Sequence, residues 1–180
     1  MKFTKFDIEG VEVIEPNVFE DDRGYFFETY NYEEFNKNGI TDVFVQDNQS
    51  KSQKDVLRGL HFQKPPYAQA KLVRVVQGSV LDVAVDLRKD SKTYGKYSSV
   101  VLSAENKKMF FIPAGFAHGF LTLEDNTIFS YKCSNVYHSA SEDAILWNDK
   151  DINVDWGIDQ PILSEKDIQA NSFNQFKSPF

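Results

Sequence analysis

Apolar and polar positions along this chain change over in short runs, and a helical period is nearly absent. Residues 11–15 (VEVIE) read as a strand closed by Pro16-Asn17. Residues 19–24 form a polar turn, and residues 25–30 (YFFETY) are a second strand. Residues 31–38 break the pattern: a cap-type Asn31, glutamates in the first turn and Gly39 just past the end predict a two-turn helix. The sheet resumes at 43–48, pauses in a polar loop at 49–55, and continues through 56–63 (VLRGLHFQ). After the Pro65-Pro66 turn, residues 71–76 and 80–87 are predicted as the two arms of a hairpin around Gln77-Gly78-Ser79. Short strands follow at 97–102, 108–112, 119–123 and 127–133. Strands at this spacing indicate an all-β sandwich or barrel. Near the end, residues 164–170 (SEKDIQA) predict a short helix with Ser164 as N-cap and Asp167 three residues on, a weak capping box. The tail from residue 171 is expected either to be mobile or to lie on a partner subunit.

The strand at 56–63 carries the first candidate chemistry. Arg58 and His61 are three apart, so a regular ladder points them to opposite faces. Gly59 lies between them, and glycine inside a strand often marks a bulge that re-aims a side chain. The expectation is a bulge that turns guanidinium and imidazole into one cavity. The competing view is a core histidine bonded to backbone beside a surface arginine.

Composition narrows the class. A chain of 180 residues is one domain with room for a substantial core, and no repeat, low-complexity tract or linker divides it. Sixteen Phe and eight Tyr favour a β-rich interior. A net charge of −7 argues against nucleic acid as a partner, though a few basic residues in one cleft can still hold a small anion. The single cysteine, Cys133, excludes an internal disulfide framework and suits a reducing compartment. The first ten residues hold no apolar signal core, and no apolar run approaches the ~20 residues of a membrane span. A cytoplasmic protein without membrane contact is expected.

Residues 111–118 (FIPAGFAH) contain P-x-G-x-x-H, which resembles the second motif of the cupin jelly-roll barrels. In metal-binding cupins that histidine joins an earlier H-x-H…E segment. Here the earlier segment reads Gly59-Leu60-His61-Phe62-Gln63, without the second histidine. With only His61, His118, His138 and Cys133 as N or S donors, a bound metal is not expected.

Six motifs in order widen the likeness: Asp21-Asp22-Arg23-Gly24-x-Phe26-x-Glu28, R-G-L-H-F-Q, Lys71 to Arg74, Val80 to Arg88, Pro113-x-Gly115-x-x-His118 and Leu163 to Asp167, with Trp147-Asn148-Asp149 besides. Together they resemble the dTDP-4-dehydrorhamnose 3,5-epimerase family, from about residue 11 to 170. The resemblance implies a cupin-like jelly roll with a few short peripheral helices, and cofactor-free epimerisation of a dTDP-linked 4-keto-6-deoxy sugar. Both epimerised carbons, C3 and C5, flank the C4 ketone, so removing either proton gives an enolate that one carbonyl stabilises. The task needs a base, a counter-charge for O4 and an acid on the far face of the ring.

By resemblance, His61 is the base, Asp167 the carboxylate that orients it, Tyr131 the acid and Lys71 the ammonium near O4. Asp82 and His118 are implied as polar residues of the same pocket. Arg23, Phe26, Glu28, Gln46, Asp47, Asn48, Arg58, Tyr137, Glu142 and Lys166 are implied in binding the nucleotide, with the basic residues neutralising the diphosphate. The family pattern also implies a homodimer in which the strand carrying Arg23 and Glu28 is exchanged. Without the resemblance, Asp167 reads as a helix cap, Tyr131 as a core tyrosine, Lys71 as an ordinary strand lysine and Asp82 as part of a solvated face. Three other functions compete: an epimerase acting at one carbon, a metal cupin, and a non-catalytic sugar-nucleotide-binding cupin.

Overall fold

The computed structural model describes all residues 1–180. Two antiparallel sheets carry the fold. In the six-stranded sheet, β1 (Lys2–Lys5), β2 (Glu12–Glu15), β10 (Met109–Ile112), β7 (Lys71–Gln77), β12 (Thr127–Cys133) and β5 (Gln46–Ser52) lie side by side in that order. The five-stranded sheet runs β13 (Glu142–Ala144), β6 (Leu57–Gln63), β11 (Phe116–Thr122), β8 (Ser79–Asp86) and β9 (Tyr97–Ser103). A detached hairpin, β3 (Phe19–Asp21) with β4 (Gly24–Phe26), pairs with neither. Helices are confined to α1 (Tyr32–Lys37), α2 (Glu165–Ile168) and single 3₁₀ turns. No helix is long and apolar enough to cross a membrane.

Alternation of side chains explains how one chain builds three apolar layers. Along β10, Phe110 and Ile112 face the space between the sheets, while Met109 and Phe111 face outward under α1. Along β8, Val80 and Ala84 point inward and Val83 and Val85 outward. Strands covered on both faces read as nearly unbroken apolar runs, as residues 80–85 and 109–112 do. The outer layer on the six-stranded sheet is closed by Phe35 of α1, held edge-on to Phe3 and Tyr30. Asn31 caps that helix by accepting from the backbone N–H of Glu33 and Glu34. The outer layer on the five-stranded sheet is closed by the irregular C-terminal stretch through Ile145, Ile152 and Trp156. Phe176 and Phe180 continue it, set edge-on against Phe62, so the final ten residues rest on their own chain.

Several elements differ from the sequence expectation, and β1 and β13 form where no strand was expected. Strands β7 and β8 are not arms of one hairpin: Gly78, at φ +77°, turns the chain from one sheet into the other. Two apolar strands around a tight turn read alike whether they pair with each other or enter different sheets. The strand expected at 43–48 sits instead at Gln46–Ser52, where the polar loop was expected. The strand at 25–30 shrinks to Gly24–Phe26, and Phe19–Asp21 pairs with it across the turn. On this hairpin Phe19, Tyr25 and Phe26 are all exposed.

Candidate active site

The space between the sheets is filled by apolar side chains at one end, where Phe110, Phe120 and Phe129 pack. At the other end it opens as a cavity of about 390 Å³. Arg58, His61, Lys71, His118, Tyr131 and Asp167 line it.

A bulge in β6 puts two of them there. His61 pairs with His118 and Arg58 with Phe120, so β6 spends one residue more than β11 over the same stretch. The extra residue restores a common face to two side chains three apart. Gly59 makes this possible: it sits at φ +140°, and a methyl group on it would lie 2.5 Å from the Gly119 Cα. Arg58 then reaches Ser52 on the opposite sheet, donating from Nε at 3.2 Å and Nη2 at 3.1 Å.

Asp167 arrives from outside both sheets. The four-residue α2 aims its carboxylate inward, with Oδ1 2.5 Å from His61 Nε2 and Oδ2 accepting from the Ser164 hydroxyl at 2.7 Å. Ser164 also caps the helix by accepting from the Asp167 backbone N–H. With one ring nitrogen engaged by a carboxylate, the other is left to accept a proton. A second histidine–carboxylate pair lies deeper. His118 Nε2 stands 3.0 and 3.1 Å from the two oxygens of Asp82, and both residues are buried. The solvated face considered for Asp82 is therefore wrong: Ala84 and Asp86 beside it are fully buried too. His118, the histidine of the cupin-like motif, thus has a carboxylate as its partner, and no group of three His, Cys, Asp or Glu side chains is arranged to hold a metal ion.

At the mouth, Glu142 of β13 takes the Lys166 ammonium at 2.5 Å and the Tyr137 hydroxyl at 2.9 Å. The Tyr137 backbone N–H donates to Gln46 Oε1, and Gln46 Nε2 donates to Asn48. Asp47 points to the other face of β5, where Lys132 holds it at 2.9 Å. Within a single chain the remaining expected residues stand apart from the cavity. Arg23 is bound to Asp21 on the exposed hairpin tip, Phe26 is exposed, and Glu28 accepts from Asn31. Sequence reasoning missed Ser52, Ser50 and the apolar wall of Phe120, Ile162 and Leu163. Of the lining residues not assigned to the site, Leu163 and Ser164 fell within the Leu163 to Asp167 motif, Ser164 as a helix cap.

The family model described as dTDP-4-dehydrorhamnose 3,5-epimerase matches residues 5–175. The chain belongs to this family. The Shigella flexneri dTDP-4-dehydrorhamnose 3,5-epimerase is 53% identical over 174 residues, covering 96% of each chain. The crystal structure of the Elizabethkingia anophelis enzyme of that name superposes at a TM-score of 0.94 with 52% identity, covering 97% of each chain. The Legionella pneumophila dTDP-6-deoxy-D-glucose-3,5-epimerase, solved in complex with dTDP-4-keto-L-rhamnose, also gives 0.94, at 45% identity, covering 98% of this chain and 94% of that one.

In this epimerase-family chain, burial and hydrogen bonding pull the pocket's groups in opposite directions. For Asp167 burial pushes the carboxyl up, but hydrogen bonds from His61, Ser164 and the Gly59 backbone outweigh it and hold the group below the usual carboxylate value. For Asp82 burial wins, and the carboxyl stays above that value despite His118 and Lys71. Burial lowers His118, and it lowers Lys71 although Cys133, Asp82 and Glu142 oppose the shift. Tyr131 is raised by burial and by Cys133, against the pull of Arg58, so its phenol keeps its proton at neutral pH.

Proposed function

We propose that this chain is an isomerase that converts dTDP-4-keto-6-deoxy-D-glucose to dTDP-4-keto-L-rhamnose by inverting C3 and C5, as the names of its relatives suggest. His61 takes the proton from the carbon next to the ketone, and Asp167 steadies the imidazolium that results. Electron density moves onto O4, where the Lys71 ammonium provides a fixed donor to the enolate. Tyr131 then delivers its hydroxyl proton to the opposite face of the same carbon, which inverts it. Solvent resets the pair by taking the proton from His61 and returning one to Tyr131. The second carbon repeats the cycle through the same enolate oxygen.

One observation carries this reading: His61 on β6 and Tyr131 on β12 line one cavity from opposite sheets. A flat ring between them has a base on one side and a protonated phenol on the other. Arg58 and Lys166 supply cations for the diphosphate, and Tyr137 with Gln46 and Asn48 offers a ring face and amides for thymine. Arg23, Phe26 and Glu28 complete the nucleotide site of a partner subunit in a homodimer with exchanged hairpins, which fits a hairpin whose Phe19, Tyr25 and Phe26 stay largely exposed in their own chain. A cytoplasmic location fits the single free, buried Cys133.

The test is isotope exchange. In D2O the enzyme is expected to place deuterium at both C3 and C5 of the product, read by NMR. Label at one carbon alone makes it a single-centre epimerase, and label at neither ends the reading.

A further inference from the structure

Gln63 closes the R-G-L-H-F-Q strand yet has no part in the chemistry above. It is buried at 5% exposure, two residues past His61 at the end of β6. Its amide bonds on both sides. Nε2 donates to the carbonyls of Tyr67 at 2.6 Å and Val136 at 3.1 Å, and Oε1 accepts from the His138 backbone N–H at 2.8 Å. Those partners belong to two loops, 64–70 and 134–141, which are fastened to each other around it. Gln69 Nε2 donates to the Asn135 carbonyl at 2.7 Å, Lys64 N–H to Ser141, and the Tyr67 and His138 rings stack at 3.9 Å. Between the two backbone groups that Gln63 grips, at 136 and 138, stands Tyr137. Its own N–H meets Gln46 and its hydroxyl meets Glu142.

We infer that Gln63 is a positioning residue for the nucleotide end of the pocket: its amide fixes the loop that presents Tyr137. The inference rests on the nucleotide site proposed above. A buried amide with all three bonds made is costly to disturb, because the backbone groups it serves lose their partners. Loosening that loop changes how tightly the nucleotide is held but leaves His61, Asp167, Lys71 and Tyr131 where they are. The signature is therefore a change in KM and dTDP affinity without a change in kcat.

Gln63→Glu is the sharp variant, since it keeps the shape and the acceptor for His138 while turning the two donors into a carboxylate facing carbonyls. With dTDP as probe in calorimetry, its Kd is expected to rise about 10-fold, equivalent to about 1.4 kcal/mol. KM for the keto sugar nucleotide should rise in parallel, with kcat within about 2-fold of wild type. An unchanged Kd, or a kcat that falls with KM fixed, overturns the inference. Should Gln63→Glu not fold, Gln69→Ala cuts a second tie between the same loops and must raise the dTDP Kd with kcat unaltered; an unaltered Kd there overturns it equally. Wild-type protein that binds no dTDP refutes the nucleotide site itself, a result separate from the ratio of variant to wild type.

Discussion

The molecule holds two histidine–carboxylate pairs side by side, and they differ in almost everything but composition. His61 and His118 are direct neighbours across β6 and β11. The first keeps 28% of its side chain exposed to the cavity and the second 7%. Asp167 is fed by a serine and a backbone N–H as well as by its histidine, so its charge is well supported; Asp82 has mainly burial around it, and the charged form is disfavoured. The difference suits His61 to the proposed role of base, because one of its nitrogens can reach a substrate and its carboxylate partner can stay ionised. Where the pair is set deeper, as His118 and Asp82 are, burial disfavours the carboxylate's charge although His118 still borders the cavity.

Breaking the open pair has the largest expected effect. His61→Ala should lower kcat about 10²–10⁴-fold, the usual loss for a general base, while dTDP affinity in calorimetry stays within a few-fold. Asp167→Asn keeps the shape and removes the charge, and kcat is expected to fall by about 10²–10³ with KM little changed, since the ring loses its electrostatic partner. The deeper pair should answer in stability as well. His118→Ala leaves the Asp82 carboxyl buried without a partner, at a cost of about 3 kcal/mol, which thermal melts should register as a Tm lower by roughly 6–12 °C.

The smallest effect sharpens the contrast through pH. Burial holds His118 below its ordinary 6.5, so the stability tied to its neutral form is complete above 6.5 and is lost as pH falls from there towards its folded value. Asp167 is held below its ordinary 3.8, so its contribution is complete above 3.8 and disappears only as pH falls through the still lower folded value. In melts across an acid series, the Tm gap between wild type and His118→Asn should begin to narrow below pH 6.5. The gap for Asp167→Asn should hold steady until below 3.8. Parallel curves for the two variants would mean that the pairs do not differ in the way described.

How much of this was legible depended on what a position had to satisfy. Phe110, Phe111, Val83 and Val85 answer only to burial, and the alternation of apolar residues showed their strands at once. The bulge at Gly59 was legible too, because a glycine between two functional residues has few other reasons to sit in a strand. Strand β5 was misplaced because one face lines the site with Gln46, Asn48, Ser50 and Ser52 while the other meets solvent. Neither face is apolar, so the period that marks a strand is missing, as expected where function overrides local pattern. The turn at Gly78 failed differently: nothing local tells a hairpin from a crossing between sheets, since partner choice is decided by strands far along the chain. The fate of Gln63 was hidden for the same reason, its three partners lying on loops that only the fold brings together.

One measurement bears most directly on the claim that base and acid act from opposite sheets. It is the reaction of Tyr131→Phe in D2O, followed by NMR for both label and configuration. With the phenol gone, His61 can still remove a proton, exchange it with solvent and return deuterium to the same face. The expected result is substrate that gains deuterium next to the ketone while its configuration is kept. Inversion at the wild-type rate would show that the far-face proton comes from elsewhere, and absence of label in a variant that still binds dTDP would take the base away from His61.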